Sequence, residues 1–169
     1  MLVQGSITLR SLKKEDKKPM AELLNNKRIS DNLRDLIPFP YTQKDAAAFI
    51  SIMKDQNPVM VFGIEYNGQF SGVISLIAQS DVYCKSAEIG YWLGEPCWNK
   101  GIATIAVKLI SGYGFIQLDF TRIFAGVFEY NIPSMKVLEK NGYIKEGVFE
   151  KSVFKNGRIW DEHRYAKVK

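Results

Sequence analysis

The chain has 169 residues, of which 46% are hydrophobic and 24% charged, with a formal net charge of +5. This length suits one domain spanning 1–169 around a single core, and the composition excludes disordered and collagen-like chains. Apolar runs are only a few residues long and no basic segment precedes an apolar one near Met1, so a cytoplasmic protein without a membrane partner is expected.

Ser6 to Arg10 alternates polar and apolar residues and predicts a first strand. From Glu15 to Leu24, Met20, Leu23 and Leu24 recur at helical spacing, with Pro19 tolerated only in the first turn. Ile29 to Leu36 predicts a second helix, and the prolines of Ile37-Pro38-Phe39-Pro40-Tyr41 impose an extended path. Thr42 followed three residues later by Asp45 reads as a cap for a helix through Met53. These helices and their connector are expected to form one wall of a substrate groove.

Pro58 to Glu65 and Phe70 to Ala78 predict two strands joined at Asn67-Gly68, a strong hairpin signal. Val82 to Leu93 follows as a third. Ile102, Ala106, Leu109, Ile110 and Tyr113 then have the spacing of a helix packed on a sheet. Thr121 to Val127 predicts a strand, Asn131 to Lys140 a helix closed by Asn141-Gly142, and Tyr143 to Phe154 with Arg158 to Val168 a final hairpin turning at Asn156-Gly157. The result is an α+β chain with a mixed, largely antiparallel sheet of six to seven strands. A helical crossover makes the strand through Glu88 and the strand from Thr121 a parallel pair, and their splaying would open a slot for a ligand.

Cys84, Cys97 and one histidine are too few for a zinc site or disulfide framework, so free thiols and no metal are expected. The positive charge helps attract anions. It is spread over the chain, and no stable nucleic-acid partner is expected.

The loop Trp98-Asn99-Lys100-Gly101-Ile102-Ala103-Thr104 is the sharpest local signal. Small residues entering a helix N-terminus let successive N–H groups wrap a pyrophosphate, although glycine here also suits a plain strand-to-helix turn. Asn131 reads as an N-cap for Ser134, with Pro133 in the first turn. Glu88 shares a strand face with Trp92. Its carboxylate either takes a proton from an amine or forms a salt bridge with a neighbouring strand. Asp161 and Glu162 are the next carboxylates, one of which alternation turns outward. Phe39, Tyr41, Tyr83, Tyr91 and Trp92 either line an acceptor pocket or belong to the core. His163 reads as structural, and Cys97 lacks a predicted base that would make it a nucleophile.

The loop resembles the acetyl-CoA motif of the GNAT superfamily of N-acetyltransferases, Arg/Gln-x-x-Gly-x-Gly/Ala, with Trp98 where Arg or Gln is usual. Together with Glu88-Ile89-Gly90-Tyr91-Trp92-Leu93, Asn131-Ile132-Pro133-Ser134 and Val137 to Tyr143, the chain is similar to the RimJ/RimL branch. Leu36 to Tyr41 and Asp161 to Ala166 extend the resemblance over nearly the whole chain. It implies a three-layer fold with helices on both sheet faces and acetyl-CoA as cofactor. Tyr91, Trp92 and Leu93 would pair with the pantetheine arm, and Trp98 to Thr104 would hold the pyrophosphate. Asn131 would bond the arm, while Ser134 donates to the departing sulfur. Glu88 and Ser134 are then the expected catalytic residues, with Phe39, Tyr41, Glu88 and Asp161 on the acceptor side. The implied acceptor is a primary amine, either a protein N-terminus or a small molecule such as a polyamine, aminoglycoside or amino sugar. The alternative is a non-catalytic cofactor sensor or ribosome-associated module. Homodimers are common in this family.

Overall fold

The computed structural model covers residues 1–169. In chain order it contains β1 (Leu2–Gln4), β2 (Ile7–Arg10), α1 (Lys17–Leu24), α2 (Lys27–Ser30), α3 (Gln43–Met53), β3 (Val61–Tyr66), β4 (Gln69–Ala78), β5 (Ser86–Leu93), α4 (Ile102–Ile116), β6 (Arg122–Phe128), α5 (Ile132–Lys140), β7 (Ile144–Lys155) and β8 (Arg158–Val168). The eight strands form one sheet in the order β1-β2-β3-β4-β5-β6-β8-β7.

The strongest local signals form as their chemistry dictates. Thr42 and Asp45 complete a capping box on α3, each side chain accepting from the other residue's N–H. Asn67 and Gly68 both adopt positive φ to close the β3–β4 hairpin, and Asn156 and Gly157 do the same between β7 and β8.

Four boundaries differ from the sequence expectation. The helix expected over Ile29 to Leu36 is a single turn, α2, capped by the Asn26 side chain, which accepts from Arg28 N–H at 2.9 Å. Beyond it Asn32 donates back to the Arg28 carbonyl at 2.9 Å, the local competition that makes asparagine a helix terminator. The strand expected from Pro58 begins at Val61, and the one expected from Val82 begins at Ser86, because Asp81–Tyr83 forms a 3-10 turn. Leu2–Gln4 adds an edge strand too short to show alternation.

Neighbouring strands are antiparallel except β5 and β6, which the α4 crossover makes parallel. Their pairing covers only Ser86↔Arg122 to Glu88↔Phe124. β6 then stays paired with β8 as far as Phe128↔Glu162, while β5 continues to Leu93 against β4 alone. The sheet therefore splits after Glu88.

Strand alternation divides the apolar residues between two cores. Ile89, Leu93, Ile123 and Val127 pack under Ile102, Ala106 and Ile110 of α4 and Leu138 of α5. On the other face Val61 and Val73 pack with Met20, Leu24, Ile29 and Ile50 from the early helices. No helix is long and apolar enough to cross a membrane.

Candidate active site

The split between β5 and β6 exposes one backbone edge of β5, and the register decides which groups it presents. The Gly94 N–H donates to the Ser71 carbonyl at 2.8 Å, in phase with the β4–β5 pairing. Residues 88, 90 and 92 therefore bond into β4, whereas the N–H and C=O groups of Ile89, Tyr91 and Leu93 turn toward the split. The Leu93 carbonyl is taken by the Trp98 indole N–H at 2.8 Å. Tyr91 N–H, Tyr91 C=O and Leu93 N–H remain directed into the slot.

The loop after β5 reaches α4 through Asn99 and Gly101, at φ +60° and +75°. No side chain caps α4, so the N–H groups of Ile102, Ala103 and Thr104 are free at its positive end. A Cβ built on Gly101 meets nothing within 4 Å, so the surface there is open to a ligand. Trp98 is fixed on one side by its bond to Leu93 and on the other by the Arg28 guanidinium, 4.9 Å from the ring centre. Arg28 and Asn26 both bond Glu95.

Across the slot, the Asn131 side chain accepts from Ser134 N–H at 3.3 Å and caps α5. The Ser134 hydroxyl lies 2.8 Å from the Tyr91 hydroxyl, which also reaches the Ser134 carbonyl at 3.3 Å. Burial pushes the Tyr91 phenol well above its usual range, with the Ser134 bond opposing it.

Together these elements line a cleft of about 980 Å³. Tyr91 and Leu93 face α4 while Trp92 faces the early helices, yet all three line it, so the cleft passes through the sheet. Its far side is built from Ile29, Asn32, Leu33, Tyr130 and Trp160. The Tyr130 hydroxyl donates to the Asp31 carbonyl at 2.6 Å, and its ring meets Trp160 edge-on at 4.9 Å. Asn32 Oδ1 is buried without a partner.

Several carboxylates around this far side are paired. Glu88 bonds Arg34, which comes from the loop after α2 and not from a neighbouring strand. Glu162 covers Gly126, where an added Cβ would lie 2.5 Å from its carboxyl carbon, and bonds Arg164 at 2.7 Å. The Arg164 guanidinium is in turn sandwiched between Phe124 and Phe149, 4.8 and 4.7 Å from their ring centres. Asp31 is paired with Lys27 and Asp35 with Lys155.

Of the residues expected from sequence, Tyr91, Trp92, Leu93, Trp98, Asn99, Gly101, Ile102, Ala103, Thr104, Asn131 and Ser134 line the cleft. Lys100 turns away over the Tyr66 ring, and Glu88 lies just before the split. Tyr41 does not reach an acceptor pocket, because its ring is buried in the core of the early helices and its hydroxyl contacts Met20. Phe39 is half exposed outside the cleft. Asp161 accepts from Lys151 N–H at 2.7 Å, holding the irregularity in β7, and stands on the opposite strand face from Glu162. Sequence reasoning missed Arg28, Asn32, Tyr130, Trp160, Lys136 and Lys140, which also line the cleft. Only the i, i+4 spacing of Lys136 and Lys140 after the Asn131 cap was a usable signal.

Residues 6–144 match the family description "Acetyltransferase (GNAT) domain". The chain belongs to the GNAT acetyltransferase family. This acetyltransferase is 43% identical over 97 residues to the probable N-acetyltransferase YjcK of Bacillus subtilis, a match spanning 57% of this chain and about half, 53%, of that protein. It is 29% identical to the putative ribosomal N-acetyltransferase YdaF of the same organism, covering 99% of this chain and 93% of that one. Among solved structures, MccE in complex with acetyl-CoA and AMP superposes with a TM-score of 0.83 at 26% identity, covering 98% of this chain and 94% of that chain. The ribosomal-protein α-N-acetyltransferase RimL shares the fold at a TM-score of 0.87 and 22% identity, covering 98% and 96%. The GNAT enzyme's co-substrate is acetyl-CoA, and the free N–H groups of the slot and of the α4 start fit an extended amide arm ending in a diphosphate.

Proposed function

We propose that this acetyltransferase acts on the α-amino group of a peptide or protein N-terminus, as a single domain over 1–169. The supporting observation is the charge pairing beyond the slot. Glu95, Glu162, Asp31 and Asp35 each already hold a cation, so a polyamine would find few free carboxylates there, and Glu88, whose Arg34 partner lies on an exposed loop, is left to serve a single amine. The buried Oδ1 of Asn32 is instead an acceptor suited to a single N–H.

Acetyl-CoA supplies a thioester already activated for attack. Tyr91 N–H, Tyr91 C=O and Leu93 N–H pair with the pantetheine arm, alongside Trp92 as the third residue of that strand, and Asn131 bonds it from α5. The loop Trp98 to Thr104 holds the diphosphate through its backbone N–H groups, that of Lys100 among them while its side chain lies over Tyr66. On the acceptor side Glu88 accepts a proton from the incoming ammonium, after which the nitrogen lone pair forms the C–N bond. The Tyr91 or Leu93 N–H meets the charge that develops on the carbonyl oxygen. As the C–S bond breaks, its electron pair goes to sulfur, toward which Ser134 directs its hydroxyl proton. The ammonium loses two protons in all: the first goes to Glu88 before attack, and the second leaves nitrogen as the tetrahedral adduct collapses, offsetting through solvent the proton that Ser134 gives to sulfur; no enzyme-bound acyl group forms.

The free Cys84 and Cys97 agree with a reducing, cytoplasmic location. Exposed Phe149, Phe154 and Ile159 on the last hairpin support a homodimer, and nothing in this reading calls on nucleic acid. The deciding experiment is release of free thiol from acetyl-CoA across short peptides, spermidine, an aminoglycoside and an amino sugar. Peptides with a free N-terminus are expected to turn over fastest. Faster turnover of spermidine overturns the acceptor assignment, and binding of acetyl-CoA without thiol release from any amine favours the sensor reading.

A further inference from the structure

Two hydroxyls meet in the wall of the slot, and their hydrogen bonds have two self-consistent arrangements. In one, Ser134 Oγ donates to the Tyr91 oxygen and Tyr91 donates to the Ser134 carbonyl, 3.3 Å away. Both protons are then satisfied inside the protein and none points into the cleft. In the other, Tyr91 donates to Ser134 Oγ across 2.8 Å, and the serine proton is free to turn into the slot. A serine hydroxyl has one proton and two acceptor sites, so it can give its proton away most easily while another donor feeds its oxygen.

We propose that Tyr91 is a positioning residue for the leaving sulfur: its hydroxyl switches Ser134 from the first arrangement to the second as negative charge builds there. This rests on Ser134 facing the sulfur, as in the function proposed above. Three features equip Tyr91 for the task. Its ring is anchored on β5 and packs against the core beneath α4. Its hydroxyl has no protein partner other than Ser134. Burial keeps the phenol protonated, so it remains a donor well above neutral pH. Ser134 itself is held by the Asn131 cap, which fixes the start of α5 and leaves the hydroxyl rotor as the only moving part. Tyr91 thus acts through Ser134 and transfers no proton to the substrate.

The test uses Tyr91→Phe, Ser134→Ala and the double variant in the full chain. Tyr91→Phe keeps the ring that packs the core, and a thermal unfolding curve checks that it folds. Its kcat is expected to fall about tenfold or more, with KM for acetyl-CoA nearly unchanged. In the Ser134→Ala background the same substitution should have almost no further effect. Binding of free CoA, followed by calorimetry from neutral pH through the pKa of a free thiol near about 8.5, supplies a readout independent of turnover. Wild-type affinity should rise as the bound thiol ionises, and both single variants should flatten that rise equally. Equal losses from Tyr91→Phe in the presence and absence of Ser134 would overturn the inference, as would a KM effect alone. Wild-type kcat in Ser134→Ala removes the sulfur-facing role of Ser134 and the inference with it. If Ser134→Ala is slow while Tyr91→Phe is not, only the inference falls.

Discussion

The φ of +75° at Gly101 is one that an L side chain adopts only with strain, yet a Cβ there would meet no atom within 4 Å. Conformation and space can therefore be separated by two substitutions. Gly101→Ala should cost about 1 kcal/mol of stability in denaturant unfolding, from the dihedral alone. Gly101→Glu adds bulk and a negative charge where the free N–H groups of α4 converge, and should abolish acetyl-CoA binding in calorimetry. Unchanged affinity would contradict the loop assignment. The glycine was conspicuous in the sequence because its neighbours Ala103 and Thr104 are small. Glu88 was equally conspicuous, but its Arg34 partner was not, since Arg34 comes from a loop 54 residues earlier that only folding brings alongside.

Helix α5 contributes more than its cap. Ser134, Lys136, Val137 and Lys140 all line the cleft, and neither lysine forms an ion pair within the protein. Two free cations one turn apart suit the anionic end of acetyl-CoA. Lys136→Glu should weaken acetyl-CoA binding about tenfold at low ionic strength, and the gap should shrink near 1 M salt, where the screening length falls to about 3 Å. A deficit that persists undiminished at high salt would mean that Lys136 acts by packing. The spacing of this helix was legible because capping residues and apolar period agree. Helix α2 was not, because besides the local Asn32 contact its end is held by Tyr130 and Asn156, which reach Asp31 from far along the chain.

Across the whole molecule, stability should be bounded by carboxylates in acid and by tyrosines in base. The Lys85 bond to Asp119 and the Arg122 bond to Glu146 hold these carboxyls below their usual range. Their contribution is present above about pH 4 and lost as pH falls through the lowered folded values. The Lys85–Asp119 pair is largely exposed and the Arg122–Glu146 pair more than a third exposed at its carboxylate, so that loss should be shallow. Burial pushes Tyr41 and Tyr143 up to about 12. The fold then favours the neutral phenol, so this stability is complete below about pH 10 and disappears as pH rises toward the folded values. Thermal midpoints should be nearly flat between these limits and fall more steeply on the alkaline side, and Tyr143→Phe should make the alkaline fall shallower. An alkaline fall as steep in Tyr143→Phe as in the wild type would remove Tyr143 from this account. The sequence by itself determined the hairpins, the caps of α3 and α5, the parallel crossover and many of the residues that line the cleft, because each depends on neighbours within a few positions along the chain. Tertiary structure alone decided where β5 and β6 part, which backbone groups that split leaves free, and how Tyr91 meets Ser134. Those depend on register and on contacts between segments far apart in sequence, and no local pattern carries them.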